Sequence, residues 1–215
     1  MQSVRLNKIV SLIPQCKDLA DVGCDHGYVG IEALRLALAE RVVFVDVSRP
    51  SLDKAQSNCP KEYLSAVSFV CQDGLQGLTV DCAVIAGMGG LEIISILQCA
   101  HTLPSMLVLQ PMRNQREVRS FLLQNYEILT DEKFCDGKYY DIIVARRAGK
   151  SMQLTQMQLE YSKTNLENPS LDFISYLNKE LTKIRNYPIF ANDSNLQAKA
   201  EEMEHMIAEY LAKRH

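Results

Sequence analysis

The sequence predicts an α/β fold in which a mostly parallel, doubly wound sheet ends in an antiparallel hairpin and is followed by a helical arm. Apolar strand-like segments alternate with helical segments as far as about residue 148. A glycine-rich turn separates the first strand from its helix, within residues 19–30. After Gly149 no further glycine occurs, and apolar residues recur at helical spacing. We therefore expect two domains, a sheet domain over 1–149 and a helical arm over 150–215.

Composition limits the class of protein before any motif is considered. The chain has 215 residues, 47% of them hydrophobic, and a net charge of −3. It contains no apolar run long enough to span a bilayer and no signal-peptide pattern, so we expect a cytoplasmic protein with no membrane partner. The seven cysteines have no spacing typical of a zinc site, so no metal is expected. Most lie in apolar runs and are expected to be buried thiols, with a reactive Cys24 as the lesser alternative.

The first half of the chain alternates helices and strands. Uninterrupted apolar runs are typical of parallel strands that are buried on both faces, and apolar residues three and four apart indicate helices. The predicted elements are, in order, helix 3–13, strand 18–23, helix 31–39, strand 41–46, helix 48–58 and strand 67–71.

The second half continues this pattern and then changes it. The predicted elements are strand 82–86, helix 91–97, strand 105–109, a helix that begins near Arg113, and strands 126–134 and 139–145. Asp136-Gly137 between the last two strands is typical of a hairpin turn. Two apolar stripes then predict an antiparallel two-helix coiled coil, namely Leu171, Ile174, Leu177, Leu181, Ile184 and Tyr187, and Leu196, Ala200, Met203, Ile207 and Tyr210. A capping box that begins at Ser194 is expected to open the second of these helices.

The glycine-rich turn after the first strand is the first candidate site. Gly23, Gly27 and Gly30 would let the backbone turn tightly and approach a ligand. A dinucleotide-binding turn has a second glycine two residues after the first, whereas this chain has Asp25 there. A carboxylate would repel a pyrophosphate, since like charges about 4 Å apart cost roughly 4 kcal/mol at an effective dielectric constant of about 20. S-adenosyl-L-methionine, which carries a sulfonium and an ammonium group and no phosphate, suits the turn better; the alternative is that Asp25 only caps the next helix.

Three further features follow predicted strands. Asp46 lies 23 residues beyond Gly23, where an acidic residue would accept hydrogen bonds from ribose hydroxyls, or else serve as a loop acid or helix cap. Residues 72–74 close the third strand, where a carboxylate or amide side chain would reach an adenine amino group, unless Asp73-Gly74 is a simple turn. Gly87-Met88-Gly89-Gly90 leaves room for a flat base against Met88, or forms a plain tight turn. Because carboxyl ends of parallel strands meet at one edge, these features predict one ligand site.

Three arginines form the main concentration of positive charge near this edge. Arg113, Arg116 and Arg119 recur every three residues, on one face of the predicted helix. With Arg5 they are candidates for contacts with nucleic-acid phosphates. The alternative is a solvated helix face, and the net charge of −3 argues against bulk capture of nucleic acid.

Five segments resemble the TrmK-type bacterial tRNA adenine-N1 methyltransferases, namely residues 21–28, 73–75, 85–90, 109–111 and 137–140. The resemblance covers the whole chain, and the run Ala86-Gly87-Met88-Gly89-Gly90 is its most specific part. It implies a Rossmann-like class I fold that uses S-adenosyl-L-methionine, a C-terminal coiled-coil arm, and methylation of N1 of adenosine 22 in the D-arm region of tRNA. The chain departs from the family pattern at Cys24, Gly27, Gly30 and Met112, where Ser, Ala, Pro and Asn are expected.

The residues and the resemblance together define an expected site. Asp25, His26 and Met88 are the expected catalytic residues, with His26 as a core or capping residue in the alternative. The expected cofactor-binding residues are Asp21, Gly23, Cys24, Asp25, Gly27, Tyr28, Asp46, Val47, Gln72, Asp73, Gly74, Gly87, Met88 and Gly89. The expected tRNA contacts are Arg5, Arg113, Arg116 and Arg119, and the expected assembly is a monomer or weak homodimer. Two other classes stay open: a methyltransferase for a small molecule or protein, and a non-enzymatic cofactor-binding module.

Overall fold

A computed structural model describes residues 3–149 and 152–212. The strands are β1 (Cys16–Val22), β2 (Ala39–Asp46), β3 (Val67–Cys71), β4 (Cys82–Met88), β5 (Met106–Pro111), β6 (Tyr126–Asp136) and β7 (Lys138–Arg147). The helices are α1 (Val4–Ser11), α2 (Tyr28–Arg35), α3 (Arg49–Asn58), α4 (Gly90–Gln98), α5 (Gln115–Leu122), α6 (Gln156–Tyr161), α7 (Lys163–Glu167), α8 (Leu171–Arg185) and α9 (Ser194–Ala212). Short 3₁₀ helices occupy Lys61–Ala66 and Phe190–Asn192.

The strands form one sheet in the order β3-β2-β1-β4-β5-β7-β6. β1 to β5 are parallel, whereas β7 runs antiparallel to both β5 and β6. The predicted mostly parallel sheet with a terminal hairpin is therefore confirmed. The C-terminal ends of the five parallel strands form one side of the sheet, which we call the carboxyl edge.

Helices cover both faces of the sheet. One apolar core contains Ile9 of α1, Ala33 of α2 and Leu52 of α3. The core on the other face contains Ile93 of α4 and Val118 of α5. Strands that are buried on both faces explain the uninterrupted apolar runs in the sequence, and the doubly wound architecture is confirmed.

The helix predicted over 31–39 ends earlier, at Arg35. The N–H of Leu38 donates to the Ala33 carbonyl at 2.9 Å, and the N–H of Ala37 donates to the Leu34 carbonyl at 3.0 Å. Ala37 has a φ of 51°, so the helix terminates in a Schellman motif with alanine where glycine is usual. The predicted helix is therefore wrong over 36–39. Residues 36–39 have high helix propensity and include no glycine, so no local pattern in the sequence indicates that the helix ends here.

β4 is longer than predicted and includes Gly87 and Met88. Met88 pairs with Pro111 of β5, and its carbonyl accepts the Met112 N–H at 2.8 Å. The register shifts between Ala86 and Met88, and Gly87 between them has a φ of +80°, as in a β-bulge. The predicted four-residue turn is therefore wrong in its first half, because β5 continues to pair with this segment.

The cysteine expectation is only partly correct. Cys24, Cys59 and Cys82 are buried, whereas Cys71 and Cys99 are exposed. The two exposed residues lie at the end of β3 and just after α4, where the chain leaves the core. Among the described residues, no helix combines the length and apolar character that crossing a membrane would require.

The helical arm contains the two long helices that the stripes predict. Leu177 of α8 and Met203 of α9 are buried in a third apolar cluster. Phe173, early in α8, and Tyr210, late in α9, border one cavity, as expected of an antiparallel pair. Leu171 is 66% exposed, so the stripe is shorter than predicted. The short helices α6 and α7 were not predicted.

The start of α9 differs from the predicted capping box at Ser194. The Asp193 carboxylate, through Oδ1, accepts the N–H groups of Asn195 at 2.9 Å and of Leu196 at 3.1 Å. The Gln197 side chain instead donates to the carbonyl of Phe190 at 3.1 Å. Asp193 therefore caps the helix because a carboxylate one residue earlier reaches the same free N–H groups. The division of the chain at 149/150 stays a prediction and adjoins residues 150 and 151, outside the described residues.

Candidate functional site

The turn from β1 to α2 contains residues in the left-handed backbone region. The φ angles are +68° at Gly23, 45° at Asp25 and +71° at Gly27. Gly23 donates its N–H to the Val45 carbonyl at 2.8 Å, so the turn is attached to the end of β2. A Cβ at Gly27 would lie 2.9 Å from Cβ of Ala55, so α3 packs directly against the turn. Glycine is needed for both conformation and packing, while aspartate tolerates the left-handed region.

The Asp25 carboxylate lies at the open side of this turn, with 60% of its side chain exposed. Its Oδ2 is 2.7 Å from His26 Nδ1, and its Oδ1 is 3.5 Å from Lys54 Nζ. Desolvation raises the pKa of Asp25, but His26 and Lys54 together outweigh it and hold the pKa below its usual value. The His26 ring stacks on Tyr28 with centroids 5.4 Å apart. The capping alternative is wrong, because Gly27 is the N-cap of α2 and no side chain caps it.

Two more carboxylates lie close to the turn. Asp46 accepts the backbone N–H of Asp25 at 3.1 Å through Oδ2 and that of Ser48 at 2.8 Å through Oδ1. Asp21 is buried and accepts the Gly30 N–H at 2.9 Å. Its burial raises the pKa of Asp21 to about 7. The site is therefore rich in acidic side chains.

The surroundings of Cys24 do not favour a reactive thiolate. Burial, and then the charges of Asp21 and Asp46, raise the pKa of the Cys24 thiol above its usual value. A protonated thiol is a poor nucleophile. Nor do the described residues contain a group of three or more His, Cys, Asp or Glu side chains placed to hold a metal ion.

A cavity of about 300 Å³ opens beside the turn. Six of the predicted catalytic and cofactor-binding residues line it, namely Asp21, Gly23, Cys24, Asp25, His26 and Tyr28. Arg5 and Leu6 of α1, with Ala86 of β4, also border the cavity. Sequence reasoning missed Leu6, Ala86 and the Asp25 partner Lys54. The helical spacing marked Leu6 as apolar, but no local pattern places α1 against this turn.

The other predicted cofactor residues lie along the carboxyl edge without lining that cavity. They are Gly27, Asp46, Val47, Gln72, Asp73, Gly74, Gly87, Met88 and Gly89. Val47 is 69% exposed at the end of β2. The Gln72 amide donates to the carbonyls of Gly74 and Gln76, both at 2.9 Å, and fixes the loop after β3. Asp73 is exposed beside it.

The glycines around the end of β4 have different roles. A Cβ at Gly90 would lie 2.5 Å from a backbone oxygen of the loop after β5, so this glycine serves packing. The Met88 side chain packs against the β1–α2 turn, because a Cβ added to Gly23 would lie 2.0 Å from Met88 Cε. A Cβ added to Gly87 would have one neighbour within 4 Å among the described residues, apart from the residues next to it in the chain. That neighbour is Arg5 Nη1, at 3.8 Å. The space beside Gly87 is therefore open to a ligand.

The three predicted helix arginines do not share one surface. Arg119 is 1% exposed and forms ion pairs with Asp131 at 2.5 Å and Asp141 at 2.7 Å. Arg113 precedes α5, and Arg116 is exposed on it. The prediction that Arg119 contacts tRNA is wrong, because α5 packs this side chain onto β6 and β7. Spacing of three residues alone could not distinguish the buried face of the helix from the exposed one.

Comparisons with known proteins agree with this architecture. Residues 2–143 match a family model described as a methyltransferase domain. A Mycoplasma pneumoniae protein, provisionally named as a tRNA methyltransferase, is 33% identical over 165 residues, 72% of this chain and 76% of that protein. The Bacillus subtilis tRNA (adenine(22)-N(1))-methyltransferase is 31% identical over 152 residues, 66% of this chain and 64% of that protein.

A solved structure extends the likeness to the arm. TrmK of M. capricolum, in complex with S-adenosyl-homocysteine, matches with a TM-score of 0.81 at 23% identity. The match covers 99% of this chain and 98% of that one, so the shared fold includes the C-terminal helices. By its family model and its relatives, the chain belongs to the methyltransferase-domain family and, within it, to the TrmK family.

Proposed function

We propose that this protein is an S-adenosyl-L-methionine-dependent methyltransferase that acts on N1 of an adenosine in tRNA, at position 22 of the D-arm region. The acidic cavity beside the β1–α2 turn carries this proposal, together with the name of the B. subtilis relative. The cavity suits a positively charged nucleoside, and the B. subtilis relative, a tRNA (adenine(22)-N(1))-methyltransferase, suggests the methyl acceptor.

The chemistry of the site fits the cofactor. Asp21, Asp25 and Asp46 surround the turn, and among the described residues the basic side chains in contact with these carboxylates are Lys54 and His26. This balance favours a ligand with a sulfonium and an ammonium group over a pyrophosphate. The open space beside Gly87 gives the cofactor and an acceptor base room to approach each other. We assign cofactor binding to all the predicted cofactor residues, both those that line the cavity and those along the rest of the carboxyl edge.

The reaction requires little proton transfer by the protein. When bound, S-adenosyl-L-methionine supplies an electrophilic methyl group. Adenine N1 already has a lone pair, so placement and charge stabilisation are the main requirements. We assign stabilisation of positive charge to Asp25, which its depressed pKa keeps ionised at neutral pH. His26 holds that carboxylate through Nδ1, and Met88 packs beside the turn where the base would enter.

The acceptor base must leave its stack to reach this cavity. We assign backbone contacts with tRNA to Arg5, which borders the cavity, and to Arg113 and Arg116 near the start of α5. We further propose that the protein works in the cytoplasm as a monomer or weak homodimer. Sedimentation of the protein alone and with tRNA tests the assembly.

Transfer of labelled methyl groups to unmodified tRNA tests the proposed function. We expect 1-methyladenosine at position 22 of the tRNA, and its loss with Asp25→Ala. Asp53→Ala is the matched control, because Asp53 is an exposed carboxylate on α3 that pairs with Arg49. Methylation of a protein or small acceptor but not tRNA would contradict the proposal, as would cofactor binding without turnover. Wild-type turnover by Asp25→Ala would remove Asp25 from the catalytic residues.

A further inference from the structure

Two guanidinium groups lie at the two ends of the Gly87–Gly89 segment. A Cβ added to Gly87 would be 3.8 Å from Arg5 Nη1, and one added to Gly89 would be 3.2 Å from Arg113 Nε. Arg5 comes from α1, whereas Arg113 comes from the loop between β5 and α5. The fold therefore brings two cations from distant parts of the chain to the end of β4.

Neither guanidinium is neutralised within the described residues. Among the described residues, no carboxylate oxygen lies within 4 Å of a guanidinium nitrogen of Arg5 or Arg113. Most other arginines form ion pairs, namely Arg35, Arg41, Arg49, Arg116, Arg119, Arg146 and Arg185. The Asp136 carboxylate faces Arg5, but it accepts the backbone N–H of Arg5 at 2.9 Å. Two unpaired cations, one at each end of this short segment, favour an anionic ligand.

Arg5 is held in its position by residues that do not cancel its charge. Its Nη1 donates to Oε1 of Gln110 at 2.6 Å, and its Cζ lies 5.5 Å from the ring centroid of Tyr140. Gln110 is fully buried, and its amide nitrogen contacts the Met112 sulfur at 3.3 Å. Gln110 is thus a positioning residue that fixes Arg5, because a buried amide with both ends occupied has little freedom to turn.

We infer that Arg5 and Arg113 bind the two phosphates that flank the target nucleotide and so deliver its base to the space beside Gly87. This inference rests on the proposed function. Guanidinium groups match phosphate oxygens in geometry and charge, and a pair of them suits two successive phosphates better than the single carboxylate of the cofactor. Arg116 is less suited to this role, since it contacts Gln156 and Glu160.

The test combines charge removal in the protein with charge removal in the tRNA. Arg5→Gln and Arg113→Gln are each expected to lower kcat/KM for tRNA by about 10- to 100-fold, the loss of one charge-assisted hydrogen bond. Arg5→Lys and Arg113→Lys should recover part of this loss. Arg146→Gln is the matched control, because Arg146 pairs with Glu127 beside the start of β5, at the opposite edge of the sheet.

A neutral methylphosphonate at either linkage next to the target nucleotide should lower kcat/KM for the wild-type protein. It should have little further effect in the variant that lacks the matching arginine. Adenosylhomocysteine affinity, measured by calorimetry, should be unchanged in both variants, which also shows that they are folded.

Three results would contradict the inference. It is wrong if both Gln variants match Arg146→Gln in kcat/KM, if neutral linkages lower the rates of wild type and variants equally, or if adenosylhomocysteine affinity falls in parallel. The last result would assign the arginines to the cofactor carboxylate instead. Failure of the proposed function is distinct, since the wild-type protein would then not methylate tRNA at all.

Discussion

Asp21 is buried under the β1–α2 turn and accepts a hydrogen bond from Gly30. Desolvation raises its pKa to about 7; the Gly30 bond opposes this rise, and the Asp46 charge adds to it. In the unfolded chain the same carboxyl titrates near pH 4. Between these values the folded protein keeps a proton that the unfolded chain releases, so Asp21 makes folding less favourable as the pH rises.

Asp21→Asn should remove this pH dependence, because asparagine imitates the protonated acid and still accepts the Gly30 N–H. We expect the free energy of unfolding of the variant, relative to wild type, to increase from about pH 4 to about pH 7, by up to about 1.4 kcal/mol per pH unit. Urea unfolding of both proteins across this range measures it. A difference that does not change with pH would show that Asp21 is ionised in the folded state throughout.

Met112 stands where the resemblance to the TrmK-type enzymes predicts asparagine. Its side chain is 47% exposed, and its sulfur contacts the buried Gln110 amide at 3.3 Å. The sequence showed the departure but not this contact. Met112 therefore supports Gln110 from outside, and through Gln110 it supports Arg5.

At the level of elements, Arg119 joins α5 to the end of the sheet and to the arm. Besides Asp131 and Asp141, it donates to the carbonyls of Leu159 at 3.0 Å and Glu160 at 3.1 Å, at the end of α6. Lys133 on β6 adds a second cation, 2.5 Å from Asp141. The two buried carboxylates are thereby balanced by two cations.

Arg119→Gln should destabilise the protein by about 3–5 kcal/mol, because it leaves the buried Asp131 carboxylate without its ion-pair partner and Asp141 with Lys133 alone. Arg116→Gln, on the exposed side of the same helix, should cost less than about 1 kcal/mol. Urea unfolding at neutral pH compares the two variants. Equal losses of stability would contradict the structural role given to Arg119.

The edge strand β6 is covered by the first part of the arm. Its alternate N–H groups at Asp131 and Cys135 donate to Thr164 Oγ1 at 3.0 Å and Asp172 Oδ2 at 2.9 Å, with Asn165 accepting from the residue between them at 3.1 Å. These side chains satisfy backbone groups that an edge strand otherwise leaves free. Such contacts join segments more than 30 residues apart, so local patterns could not predict them, and α6 and α7 were missed for the same reason.

For the whole molecule, the sequence was sufficient where structure depends on local patterns. Uninterrupted apolar runs identified the buried strands, and Asp136-Gly137 identified the hairpin turn. The sheet and its antiparallel end could therefore be predicted. The contact of Arg5 with Gln110 was not, because it depends on how α1 packs across 105 residues of chain. The contact of Lys54 with Asp25 could not be predicted either, because it depends on how α3 packs against the β1–α2 turn. The burial of Arg119 shows that the spacing of residues on a helix does not reveal which face is buried.

The acidic turn after β1 is proposed to bind a positively charged nucleoside, and the proposed function and the further inference both require this. Calorimetric titration of the full chain with adenosylhomocysteine and, separately, with a nicotinamide dinucleotide tests this most directly. We predict saturable heat with adenosylhomocysteine and none with the dinucleotide. Binding of the dinucleotide without binding of adenosylhomocysteine would contradict the account.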